Sequence, residues 1–178
     1  MTDRPPAITP RGTELPEGAG RPFDAAATAR AILADVRSGA LATNDPQSGF
    51  PLATLVNVAT DADGAPLLCL SGLALHARNL AADPRASLLL AAPGKGDPLA
   101  HPRLTLVGTF APSEDPGARD RFLAAHAKAQ LYIDLPDFRF WRMIVAAVHL
   151  NGGFARAATL APGDLVTDGS RPDRATAS

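Results

Sequence analysis

Leu70-Ser71-Gly72-Leu73-Ala74-Leu75-His76-Ala77-Arg78-Asn79-Leu80 holds the change of texture on which the fold turns. Upstream of it, Pro66–Ser71 is a short apolar run bounded by turn residues, which reads as a strand. Gly72 lets the backbone turn, and Leu75–Ala82 then reads as a helix that stops before Asp83-Pro84. A strand that ends at a hydroxyl and feeds a helix presents free backbone N–H groups at the helix start. Such a place attracts anions. Ser71 offers a hydroxyl, and His76 and Arg78 add donors within the first turns, Arg being suited to bidentate phosphate contact. A plainer reading uses the same residues: Ser71 as a helix cap and Arg78 as a solvated charge.

Before this segment, Asp24 is a good N-cap for a helix over about 25–38, with Ala29, Ile32, Leu33 and Val36 as its apolar stripe and Gly39 as its C-cap. Leu41–Thr43 is short and extended, and Asn44–Gly49 is a turn. Leu52–Ala59 reads as a strand, and the turn Asp61–Gly64 suggests that it forms a hairpin with Pro66–Ser71. After the segment come a strand at Ser87–Ala92, a Gly/Pro loop at Pro93–Pro102, and a strand at Arg103–Phe110. Pro116–Lys128 is expected to be helical, with Phe122, Leu123 and Ala127 as its apolar face. Phe138–Ile144 and Val145–Leu150 read as paired strands, and Gly152-Gly153 breaks the pattern. Many short strands with a few helices argue a mainly β, α+β fold: an antiparallel barrel with flanking helices. No dinucleotide fingerprint or P-loop is present.

Of the 178 residues, 1–22 are expected to be a disordered N-terminal arm, 23–161 one folded domain, and 162–178 a flexible tail. A net charge of −1, from 17 basic and 18 acidic residues, argues against a nucleic-acid binder. The single cysteine, Cys69, excludes an internal disulfide, and its apolar neighbours point to a buried structural thiol. No run approaches the roughly 20 apolar residues of a membrane span, and no signal-peptide core is visible, so a cytoplasmic location is the expectation. Glu14, Glu17 and Glu114 all lie in loop-like sequence, so no paired-carboxylate acid/base site is apparent.

Several stretches in order resemble the pyridoxamine-phosphate-oxidase-like flavin-binding split barrels. They are Gly39–Thr43, Gly49–Thr54, Leu70–Leu80, Asp83–Leu89, Arg103–Gly108, Asp137-Phe138 and Gly152–Ala157, and the likeness covers about 25–158. Within that superfamily the chain is most similar to the haem-utilisation branch. The resemblance implies a homodimer of split barrels with flavin mononucleotide (FMN) in the groove between subunits, and a possible FMN-dependent oxidoreductase. Thr54, Val56 and Asn57 would then run along the flavin, Ser71, His76, Arg78 and Asn79 would lie near its phosphate, and Arg103 would reach across from the partner. The chain also departs from the family pattern. Leu75 stands where relatives often carry a basic residue, with His76 in the next place, and Ala77 stands where close relatives often carry Thr.

Haem is the alternative cofactor, and a cofactor-free interaction module on the same fold is a third class. The haem branch uses a histidine near the C-terminus as axial ligand, whereas no histidine follows His149 here. His149 reads as a core or interface histidine, His101 as a surface one, and His126 as solvated. Trp141, Phe138 and Phe140 read as one aromatic cluster in a core or interface. No catalytic side chain, substrate or metal ligand is assigned from the sequence.

Overall fold

The computed structural model describes residues 6–9, 23–153 and 157–166. The first helix, α1 (Ala25–Asp35), starts at Asp24, whose carboxylate accepts a hydrogen bond of 2.8 Å from the Ala27 amide. It buries Ala29, Ile32 and Leu33, and Val36 rather than Gly39 caps its end. Gly39 lies instead in β1 (Ser38–Asn44), where an added Cβ would stand 2.8 Å from the Leu89 carbonyl oxygen. Only glycine tolerates that approach.

Seven more strands follow: β2 (Pro51–Asn57), β3 (Ala59–Thr60), β4 (Pro66–Ser71), β5 (Arg85–Ala91), β6 (Arg103–Pro112), β7 (Phe138–Asn151) and β8 (Ala157–Leu160). Every pairing is antiparallel, and the order across the curled sheet is β2-β1-β5-β6-β7-β4-β3, with β8 added to β7. This is the expected antiparallel split barrel with flanking helices.

Three local expectations are corrected. The hairpin onto Pro66–Ser71 shrinks to β3, because β2 pairs along its whole length with β1. Val58 interrupts the run, with its amide bonded to the Arg37 carbonyl at 2.9 Å. The expected strand pair at 138–150 is one 14-residue strand, β7. The unbroken apolar run Met143–Val148 hides a change of face, and the register against β6 shifts between Val107 and Gly108. The expected flexible tail is packed through its first residues: Pro162–Leu165 form a 3-10 turn and Leu165 is buried in the core.

Two apolar clusters hold the sheet. The larger fills the barrel between the inner faces of the strands and α1, with Leu41, Leu68, Leu88, Leu106, Phe110 and Met143 among its most enclosed members. The second lies on the other face of β4 and β7, beneath α3 (Ala118–Ala125) and the 3-10 turn Ala127–Leu131. Strand alternation therefore splits the expected aromatic cluster: Trp141 joins the first core, while Phe138 and Phe140 pack against the second.

Candidate functional site

Helix α2 (Leu75–Ala82) follows β4 after a three-residue turn and closes one end of the barrel by burying Ala77 and Leu80 in the main core. Its start lacks a side-chain cap. The Ser71 hydroxyl does not cap it either. Ser71 Oγ donates a 2.5 Å hydrogen bond to Asp137 Oδ2 and accepts one of 3.1 Å from the Leu73 amide. The Gly72 amide also turns toward this corner, bonded to the Asp137 carbonyl at 2.7 Å. A hydroxyl has one proton to give. That of Ser71 is committed, and the group receiving it is a carboxylate.

His76 lies on the inward side of α2, with Nδ1 3.0 Å from Thr54 Oγ1. This contact ties β2 to α2 and brings Thr54 and His76 together. Burial holds the His76 imidazole below its ordinary pKa, favouring the neutral ring. Asn79 is only 3% exposed, and its amide nitrogen donates to Thr43 Oγ1 at 3.1 Å inside the barrel. Asn79 is thus engaged within the barrel. Val56 is also in the core, and Asn57 donates to the Tyr132 hydroxyl at 3.3 Å. Arg78 is exposed, and its guanidinium has no hydrogen-bonding or ionic partner among the described residues.

Arg103 lies elsewhere in the same chain. It pairs with Asn151 at the far end of β7, whereas Ser71 pairs with Phe138 at the near end. Thirteen residues of strand separate the two places, about 40 Å along the chain. Its guanidinium donates to the Leu99 carbonyl at 3.0 Å.

Sequence reading missed Arg139. It pairs with Leu70 and so shares that residue's core-facing side, at a point where the sheet runs out to solvent. No carboxylate pairs with it among the described residues. Its only signal in the sequence was a charge inside an apolar strand. Leu73 and Leu75, at 70% and 59% exposure, add apolar surface to the same corner.

The remaining histidines differ in their ties. His101 Nε2 meets the Lys95 carbonyl at 2.9 Å. His126 is not simply solvated: its Nε2 meets the Val58 carbonyl at 2.9 Å, and its ring packs on Phe122. His149 is half-buried on the outer face of β7, between Thr105 and Thr159.

The outer face also carries a groove of about 610 Å³, lined by Ala42, Asn44, Ser87, Val107, Thr109 and Ala146. Arg85 lies at its edge, but its charge is spent on Asp83 at 2.6 Å. That pairing holds the Asp83 carboxyl far below the usual carboxylate range. No helix among the described residues is long and apolar enough to cross a membrane.

A curled antiparallel sheet closed at one end by a short helix defines a split barrel. The chain belongs to the pyridoxamine 5'-phosphate oxidase family, whose model matches residues 25–152. It is 35% identical over 134 residues to the chloroplastic heme oxygenase HOZ of Arabidopsis thaliana, a match covering 72% of this chain and 40% of that protein. Among solved structures, a heme binding protein from Mycobacterium smegmatis is 41% identical with a TM-score of 0.75, covering 82% of this chain and 61% of that one. A protein of unknown function from Agrobacterium tumefaciens is 43% identical with a TM-score of 0.79, covering 93% of this chain and 65% of that one. The chain thus spans less than two thirds of the length of each of these three relatives.

Proposed function

We propose that this chain is a haem-binding or haem-handling protein, acting as a homodimer of split barrels. The observation that carries the reading is the commitment of the phosphate donors around Ser71–Asn79. Ser71 donates its proton to Asp137 and Asn79 is turned inward to Thr43, while His76 spends Nδ1 on Thr54 and keeps only Nε2. A flavin phosphate would meet Arg78 together with the Asp137 carboxylate, a poor setting for a dianion.

The same corner suits an amphipathic macrocycle. Leu73 and Leu75 expose apolar surface, and Arg78 and Arg139 are guanidiniums without carboxylate partners among the described residues, available to propionates. Imidazole nitrogens without a hydrogen-bond partner among the described residues are present on His76 and His149. The likeness to a heme binding protein and a heme oxygenase supports this choice over FMN. Haem, where bound, supplies redox-active iron; the chain supplies a docking surface, counter-charges and a ligand nitrogen.

The test is a spectral titration of the purified chain with ferric haem and, separately, with FMN, followed by desalting. A Soret band retained at micromolar concentration is expected. Retention of the two flavin bands without a Soret band would replace haem by FMN, and retention of neither would leave the cofactor-free module.

A further inference from the structure

Three of the four histidines fix one ring nitrogen to a polar group, and only His76 fixes it to a side chain among the described residues. Histidines that bind metals almost always engage the second ring nitrogen with a fixed polar group, which sets the tautomer and aims the first. His101 and His126 spend Nε2 on backbone carbonyls. His149 stands between two threonines across the sheet, with no orienting bond to its ring among the described residues. His76 alone has Nδ1 fixed to a side-chain oxygen, Thr54 Oγ1 at 3.0 Å, while Nε2 has no partner among the described residues.

The setting of His76 adds to this. The ring is half-buried at the closed end of the barrel, on a helix whose Ala77 and Leu80 are locked in the core. Such a support fixes the imidazole more firmly than a loop would. Leu73 and Leu75, close by in sequence, expose the apolar surface that a porphyrin would cover.

Resting on the haem reading above, we propose that His76 Nε2 is the protein's ligand to the haem iron and that Thr54 is its positioning residue. In the ligating tautomer Nδ1–H donates to Thr54 Oγ1, and the Nε2 lone pair goes to iron. Ligation by the neutral ring releases no proton. Thr54 never touches the iron; it acts by holding the ring plane and raising the basicity of the ligating nitrogen.

The experiment titrates ferric haem into the full chain and into three variants, reading Soret position, spin-state bands and affinity. Wild type is expected to give a histidine-ligated spectrum, and His149→Ala should reproduce it. Thr54→Val keeps the shape, removes the acceptor, and should weaken affinity roughly tenfold. His76→Ala should weaken it further and move the Soret band, and added imidazole should restore the wild-type spectrum. That rescue separates a lost ligand from a lost fold. A wild-type spectrum and affinity in His76→Ala would overturn the assignment while leaving the haem reading intact. Loss of the ligated spectrum in His149→Ala would also overturn it, moving the ligand to β7. No retained haem in the wild type would sink the underlying reading itself.

Discussion

Single side chains decide what the Ser71–Asn79 corner can hold, and most are committed inside the protein. A hydroxyl, an imidazole and an amide that look like a phosphate cradle in sequence are bonded to Asp137, Thr54 and Thr43. The types and spacing of these residues were legible; their partners were not, because Asp137 lies 66 residues from Ser71. Cys69 shows the opposite case, a residue whose role was readable from its neighbours. It is 8% exposed, and burial pushes its thiol up to about 11, with the Asp134 charge adding to the effect. The thiolate is the reactive form, so the native protein should resist iodoacetamide at pH 8 and react fully once unfolded in guanidinium. Mass spectrometry of the alkylated protein checks this, and stoichiometric labelling of the native state would contradict it.

At the scale of elements, the boundaries of α2 and the cores of most strands could be read directly, since each is an apolar run between turn residues. The pairing of those strands was harder. Hairpin logic joined 52–59 to 66–71, yet β2 gains more by covering β1 along seven registered residues. Nor does an unbroken apolar run reveal a bulge, and β7 was divided in two where the structure keeps one strand. Gly108 sits at that irregularity, where an added Cβ would collide with the Ile144 carbonyl oxygen. Because the obstacle is backbone in a paired strand, it cannot swing aside. Gly108→Ala should therefore cost roughly 1–3 kcal/mol of stability in urea unfolding. Gly163→Ala, with nothing near the added methyl, is the control and should fall within about 0.5 kcal/mol of wild type.

For the molecule as a whole, the outer face of the sheet is the surface on which the proposed homodimer would form. One row across it reads Leu55, Ala40, Leu89, Thr105 and His149, each opposite the next. Leu55 is 78% exposed and Ile144 56% exposed on this single chain. Apolar surface so arranged on a sheet invites self-association. It also offers a reason for Arg103 to stand about 40 Å along β7 from the Ser71 corner: in a two-fold dimer a residue remote in one chain can serve the other. If the proposed dimer forms through this face, Leu89→Arg with Ile144→Arg should convert it to monomer in sedimentation-velocity runs at micromolar protein. An unchanged sedimentation coefficient would assign the contact to another face. The fold class was legible because strand length and turn spacing are local properties. Which face would serve the expected homodimer was not, because a surface that faces a partner and one that faces water can share the same alternation.

β7 has a further consequence. It is paired with β4 over its first five residues, with β6 from Trp141 to its end and with β8 over its last four. Where it is flanked on both sides, at 141–142 and 148–151, its amides cannot reach solvent until a neighbouring strand parts. Native-state hydrogen exchange should therefore find β7 among the last segments to open, with edge strand β2 opening far earlier. The strand that bore the least readable pattern would then set the ceiling on how long the fold survives.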